Sequence, residues 1–230
     1  SGVAVGVVEN TLTEIATAYN KECEIVALPN VVLIEVGQSR RGRVELAVQR
    51  LTTLQLDQIS EIAETIDKVQ HKKIPLTEVA DHMDRIFRKK PRFHPVIIIL
   101  GYALSCIGLT MLFRPDPLSM LVTGVMGILV GLMILGFQKQ PQFNLLLPVI
   151  VAVIVSTLVF QLTQLGFIYG PANLLVAPLI IFLPGGLLTT GMIELASMHI
   201  ISGSSRLIYG GAVLLLLFIG IAIGLSFSKL

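Results

Sequence analysis

Apolar residues follow two regimes along this chain of 230 residues. Up to residue 95 they come in short bursts between charges, and from residue 96 they run on with few interruptions. In the first regime, residues 3 to 19 (VAVGVVENTLTEIATAY) put Val8, Leu12, Ile15, Ala16 and Tyr19 at helical spacing, with Asn20 placed to end the helix. CEIVALPNVVLIEVGQSRRGRVELAVQ then supplies three β-branched runs, divided by Pro29-Asn30 and by the polar stretch from Gly37 to Gly42. That pattern predicts a three-stranded meander. Two further helices are predicted at about 55 to 70 (Leu56, Ile59, Ile62, Ala63, Ile66) and at 76 to 89, the second with Thr77 as N-cap.

In the second regime, 96–113 and 117–137 are each long enough to cross a hydrocarbon core, which takes about 20 residues. Residues 145–162 make a third span, about 172–201 a fourth and about 206–228 a fifth. The predicted architecture is a small cytoplasmic α+β domain, 1–95, followed by a five-span α-helical transmembrane domain, 96–230, with a broken fourth helix. The spans begin too late in the chain for any of them to be a cleavable signal peptide.

Composition sharpens this division. Hydrophobic residues make up 53% and charged residues only 14%, with mean hydropathy +0.81; the charged share is about half that of a soluble domain. Residues 1–95 hold 13 of the 17 Lys+Arg and 13 of the 15 Asp+Glu. A net charge of +2 without clustering argues against nucleic acid. Cys23 and Cys106 fall in different regions, so two free thiols are expected rather than a disulfide or metal site. His71, His82 and His94 show no metal-ligand spacing, and no complete nucleophile, base and oxyanion set points to a hydrolase. No cofactor or metal is expected.

The short flanks set an orientation. RKKPR at 88–92 precedes the first span, Lys139 lies between the second and third and Arg206 between the fourth and fifth, and these belong on the cytoplasmic side. The opposing loops carry Arg114 beside Asp116, and then TQLGFIYGP with no charge. This places the N-terminal domain in the cytoplasm and the C-terminus outside.

Glycines recur at packing intervals: Gly127 with Gly131, Gly220 with Gly224, and Gly101 with Ser105 and Gly108. Such residues let helices approach closely in lipid, within one bundle or across a dimer.

The candidate chemistry lies in FLPGGLLTTGMIELASMH, residues 182–199. From 172 to 201 is 30 residues, about 45 Å as one helix against a core of about 30 Å. Pro184 cannot donate a backbone N–H, and Gly185-Gly186 tolerate almost any backbone angle, so a break is predicted there. Broken helices in membranes line cavities, and a half-helix starting near Gly185 would turn its N–H groups toward an anion. Gly186, Thr190, Glu194 and Ser197 recur as one polar stripe, and an ionisable Glu194 at this depth is a functional candidate. A plainer reading stands beside this: a simple kink at Pro184, Glu194 paired with Arg206 or His199 near the interface, and Arg206 as a topology anchor.

On these residues the chain resembles the threonine/serine exporter family. SGVAVGVVENTLTEIATAY is similar to its amphipathic first helix and VALPNVVLIEV to its soluble strands. LPGGLLTTGMIELASMHIISGSSRLIYG is similar to its proline-glycine segment, followed by an acidic residue and an arginine before the last helix. Where the family pattern more often has aspartate, this chain has Glu194.

The resemblance implies a non-enzymatic secondary transporter in a bacterial cytoplasmic (inner) membrane, exporting threonine- or serine-like amino acids by proton antiport. It also implies a smaller second membrane subunit and leaves room for a homo-oligomer. In the mechanism expected, the substrate carboxylate sits at the Gly185 and Gly186 N–H groups, helped by the Thr189 and Thr190 hydroxyls. Glu194 takes the ammonium and couples the proton, and Arg206 stands by as a second cation. The alternatives are export of a dicarboxylate such as succinate, using Arg206, and a non-transporting membrane scaffold.

Overall fold

A computed structural model of the chain describes residues 3–28, 31–36, 43–48, 55–89, 92–113, 116–137, 140, 145–167 and 170–227. The expected turns at Pro29-Asn30 and 37–42, and the flanking charges Arg114 and Lys139, lie outside the described residues. Residue contacts divide the chain into two compact units. One comprises 1–91 with 186–208, and the other 92–185 with 209–230.

In the first unit, α1 (Val5–Ala18) packs on β1 (Cys23–Leu28), the first strand of an antiparallel meander with β2 (Val31–Val36) and β3 (Arg43–Val48) in the order β1-β2-β3. The apolar positions read from the sequence, Val8, Leu12, Ile15, Ala16 and Tyr19, are all half-buried. Its C-terminus closes at Asn20, whose φ of 53° supplies the left-handed residue of a Schellman turn while Lys21 N–H bonds the Ala16 carbonyl.

The unit continues with α2 (Leu56–Gln70) and α3 (Leu76–Phe87). Buried Gln58 serves both helices: its Oε1 accepts Gln55 N–H at 2.9 Å and its Nε2 donates to the Ile86 carbonyl at 2.9 Å. Thr77 is not the N-cap of α3. The helix already begins at Leu76, because Pro75 with φ −67° and ψ 142° takes the capping position and Thr77 falls within the first turn.

The second unit contains α4 (Pro95–Phe113), α5 (Pro117–Phe137), α6 (Leu147–Gln164), α7 (Pro171–Leu179) and the later part of α9 (Ile200–Phe227). Glycines bring its helices together. A Cβ on Gly127 would stand 2.8 Å from both the Ala103 Cα and the Tyr102 carbonyl oxygen, and one on Gly220 would stand 2.7 Å from the Ala152 Cβ. Both G-x-x-x-G pairs therefore pack within the chain, whereas Gly101 and Gly108 face open space. The buried hydroxyls of Thr110 and Thr123 meet at 2.8 Å between α4 and α5, so neither is left unpaired among apolar neighbours. Val130, Val151, Val155, Val159, Leu174 and Leu217 form the core.

Among the described residues, four helices, α4, α5, α6 and α9, are long and apolar enough to cross a membrane. A fifth span is counted if the broken pair Leu174–Phe182 and Gly185–Ala196 makes one. This is a multi-pass membrane protein with a small sheet near its N-terminus. Cys23 and Cys106 are free thiols.

Candidate functional site

The predicted break is present, and two prolines build it. Pro178 lies inside α7, where its missing N–H and its ring disfavour continued α-helix, and the chain tightens to a 3-10 turn at Ile180–Phe182. Leu183 is then extended, with φ −68° and ψ 122°, as a residue before proline prefers. Beyond Pro184 the helix restarts as α8 (Gly185–Ala196).

The second helix of the hairpin, α9, begins at Ile200 and so carries Arg206 on its second turn rather than ahead of it. The α8–α9 turn is a Schellman motif. Met198 takes the left-handed position at φ 65°, Met198 N–H bonds the Leu195 carbonyl at 3.1 Å, and His199 N–H bonds the Glu194 carbonyl at 2.9 Å. Ser197, the last residue of the expected stripe, falls in this turn, beyond the end of α8.

Glu194 is 1% exposed. Its Oε1 accepts the Val5 N–H of α1 at 2.9 Å, and its Oε2 lies 3.0 Å from Arg206 Nε. At that distance the Nε–H is nevertheless not directed at the oxygen, because both atoms are buried without a hydrogen bond. We read this as an ion contact: close charges in poor alignment, attractive but short of the bidentate geometry that Arg can offer a carboxylate. The Arg206 side chain is 12% exposed, and its Nη2 donates to the Val3 carbonyl at 2.7 Å.

A second carboxylate lies one helical turn further along α1. Glu9 Oε2 is 3.2 Å from His199 Nε2, and Glu9 Oε1 accepts the Ala27 N–H of β1 at 2.8 Å. The His199 ring lies against Gly6, where a Cβ would stand 3.2 Å from its Cε1. With Glu9 accepting at Nε2, that nitrogen carries the proton, and the buried Nδ1 has no partner. Thus α1 is held to the α8–α9 hairpin by two acid contacts of opposite sense, one carboxylate from the hairpin and one from α1.

Of the expected site residues, the fold brings Glu194 and Arg206 together. Gly185, Gly186 and Thr189 are exposed and Thr190 half-buried. Nine residues of helix separate Gly185 from Glu194, about 13 Å along the axis. One small amino acid, whose two charges flank a single carbon, does not span that distance. Sequence reasoning missed Glu9 and the backbone groups of Val3 and Val5. The only visible signal was a carboxylate four residues after Val5 on the apolar stripe of α1.

The chemistry available is that of a buried, unlike-charged pair beside a helix N-terminus. It can bind a group carrying both charges.

The chain matches the family described as "Putative threonine/serine exporter" over residues 1–228. Among curated relatives, the pheromone-regulated membrane protein 10 of Debaryomyces hansenii is 24% identical over 232 residues, covering 97% of this chain and 23% of its own length. The protein of the same name from Yarrowia lipolytica is 23% identical over 213 residues, covering 88% of this chain and 17% of its own length. An uncharacterized protein of Schizosaccharomyces pombe is 24% identical over 225 residues, covering 94% of this chain and 29% of its own length. The chain therefore spans less than a third of each of these relatives. No solved structure matches it.

Proposed function

Because the chain belongs to the threonine/serine exporter family, we propose that it is a module of a secondary transporter that exports threonine- and serine-like amino acids in exchange for protons. One observation carries this reading: buried Glu194 and largely covered Arg206, 3.0 Å apart on neighbouring helices. A zwitterion is the neutral ligand that offers each of these side chains its opposite charge. Its ammonium binds Glu194 and its carboxylate binds Arg206, while Gly185, Gly186, Thr189 and Thr190 line the approach along α8.

Proton coupling follows from the same carboxylate. Proton and substrate compete for Glu194, so the two exchange across the membrane. The first 95 residues face the cytoplasm and the C-terminus lies outside, by the basic flank at 88–92. A bacterial inner membrane is the setting that the family resemblance favours. A second membrane module, carried on a smaller chain, completes the pathway.

The test is counterflow of labelled threonine, serine and succinate in proteoliposomes, with and without a co-purified smaller membrane subunit. Threonine or serine uptake that E194Q abolishes is expected. Full, proton-dependent uptake by E194Q would sink the role of Glu194. Succinate uptake alone would make the cargo a dicarboxylate, and no uptake by a folded protein in any combination would make the chain a scaffold.

A further inference from the structure

The Glu194–Arg206 pair is already occupied in this structure, and its occupant is the chain itself. Val5 N–H donates to Glu194 Oε1 at 2.9 Å, and the Val3 carbonyl accepts from Arg206 Nη2 at 2.7 Å. A donor is thus seated on the acid and an acceptor on the guanidinium, both from three consecutive residues. An amino-acid zwitterion presents the same arrangement, an ammonium and a carboxylate on one carbon.

We propose that the first turn of α1 is an internal stand-in for the substrate, its Val5 N–H and Val3 carbonyl filling the amino-acid subsite until the substrate displaces them. This rests on the transport reading above.

Three features favour displacement. A helix N-terminus carries only about half a positive charge, so a full ammonium binds Glu194 more strongly. Glu194 Oε2 and Arg206 Nε are buried without hydrogen bonds in the self-occupied state; a zwitterion's ammonium can donate to the first and its carboxylate can accept from the second. The first turn of α1 has few local supports beyond the buried Val5 side chain: Ala4 makes no side-chain cap, no acidic residue lies in that turn and Val3 is 42% exposed. The rest of α1 stays anchored one turn on, through Glu9 to Ala27 and His199. A dicarboxylate cannot imitate the stand-in, since one of its anions would have to meet ionised Glu194.

Val5→Pro isolates the contact. Proline lacks the N–H, suits the first position of a helix, and follows a residue whose φ of −67° and ψ of 143° a proline accepts. Val5→Ala keeps the N–H and controls for the lost side chain. With the purified full chain, L-threonine binding to V5P should be about tenfold tighter than to wild type, as expected when an occluding state is removed. V5A, which trims a buried side chain but keeps the N–H, should tighten binding less than V5P. In the wild-type protein, saturating L-threonine should speed hydrogen exchange across residues 3–8.

Unchanged affinity in V5P, or threonine-dependent protection of residues 3–8, would overturn the stand-in while E194Q still abolished binding. If E194Q bound threonine as well as wild type, the subsite itself would fall and the stand-in with it. Should V5P not fold, the exchange measurement on the wild-type chain decides alone.

Discussion

Gly191 of α8 and Gly203 of α9 meet backbone to backbone: a Cβ on Gly203 would stand 2.8 Å from the Gly191 carbonyl oxygen and 2.9 Å from Leu195 N. Glu194 and Arg206 each lie three residues on from one of these glycines, on the two helices that cross here. Gly203→Ala must push the helices apart, and an overpacking cost of about 1–3 kcal/mol is expected. Thermal unfolding in detergent measures it. Gly101→Ala, in open space on α4, should be neutral or stabilising by about 0.5–1 kcal/mol, since glycine disfavours helix interiors. Equal losses in the two variants would refute the crossing.

Removing Arg206 alone leaves Glu194 as an uncompensated buried charge. R206M should therefore cost about 3–5 kcal/mol, whereas the double variant E194Q/R206M should recover much of it. A double-mutant cycle from denaturation midpoints gives the coupling. Additive losses would mean that the 3.0 Å contact has no energetic weight.

Met198 holds a left-handed backbone at the α8–α9 turn, a conformation costing a non-glycine residue about 1–2 kcal/mol. Met198→Gly removes that strain but adds chain entropy to the unfolded state, so a net gain of about 0.5–1 kcal/mol is expected. A lowered melting temperature would contradict it.

On the exposed face of α2, the Glu64 carboxyl titrates below its ordinary 4.5, through a hydrogen bond from Lys68 and then through that side chain's charge. A folded-state value below the unfolded one means that this contact stabilises the protein above about pH 4.5 and is lost as the pH falls through the lowered value. Carboxyl-carbon NMR should show Glu64 titrating low, and K68Q should return it toward 4.5. No movement in K68Q would assign the shift elsewhere.

Much of the fold was legible because its signals are local. The strands follow β-branched runs, the membrane helices follow uninterrupted apolar stretches, and the restart at Gly185 follows from Pro184. Glu194 stood out as a lone carboxylate in an apolar setting. The groups that complete its surroundings were hidden for a physical reason: Val5 N–H and the Val3 carbonyl belong to the backbone, which every residue shares, and they act across 189 and 203 residues of sequence. Glu9 was legible in principle, since a charge on the inward stripe of a helix needs a partner, but the sequence does not say that His199 and Ala27 supply it. Thr77 misled because the capping preference of threonine yields to a proline two residues earlier that already fixes the start of the helix.

The Glu9 contact with Ala27 has a consequence for how this protein meets other chains. β1 is an edge strand, and an outward-pointing amide on such an edge invites a foreign strand to continue the sheet. At Ala27 that amide is already taken by a side chain from α1. Strand addition along this edge is interrupted one residue before its C-terminal end, at Ala27, so a foreign strand cannot continue the ladder through the full length of β1.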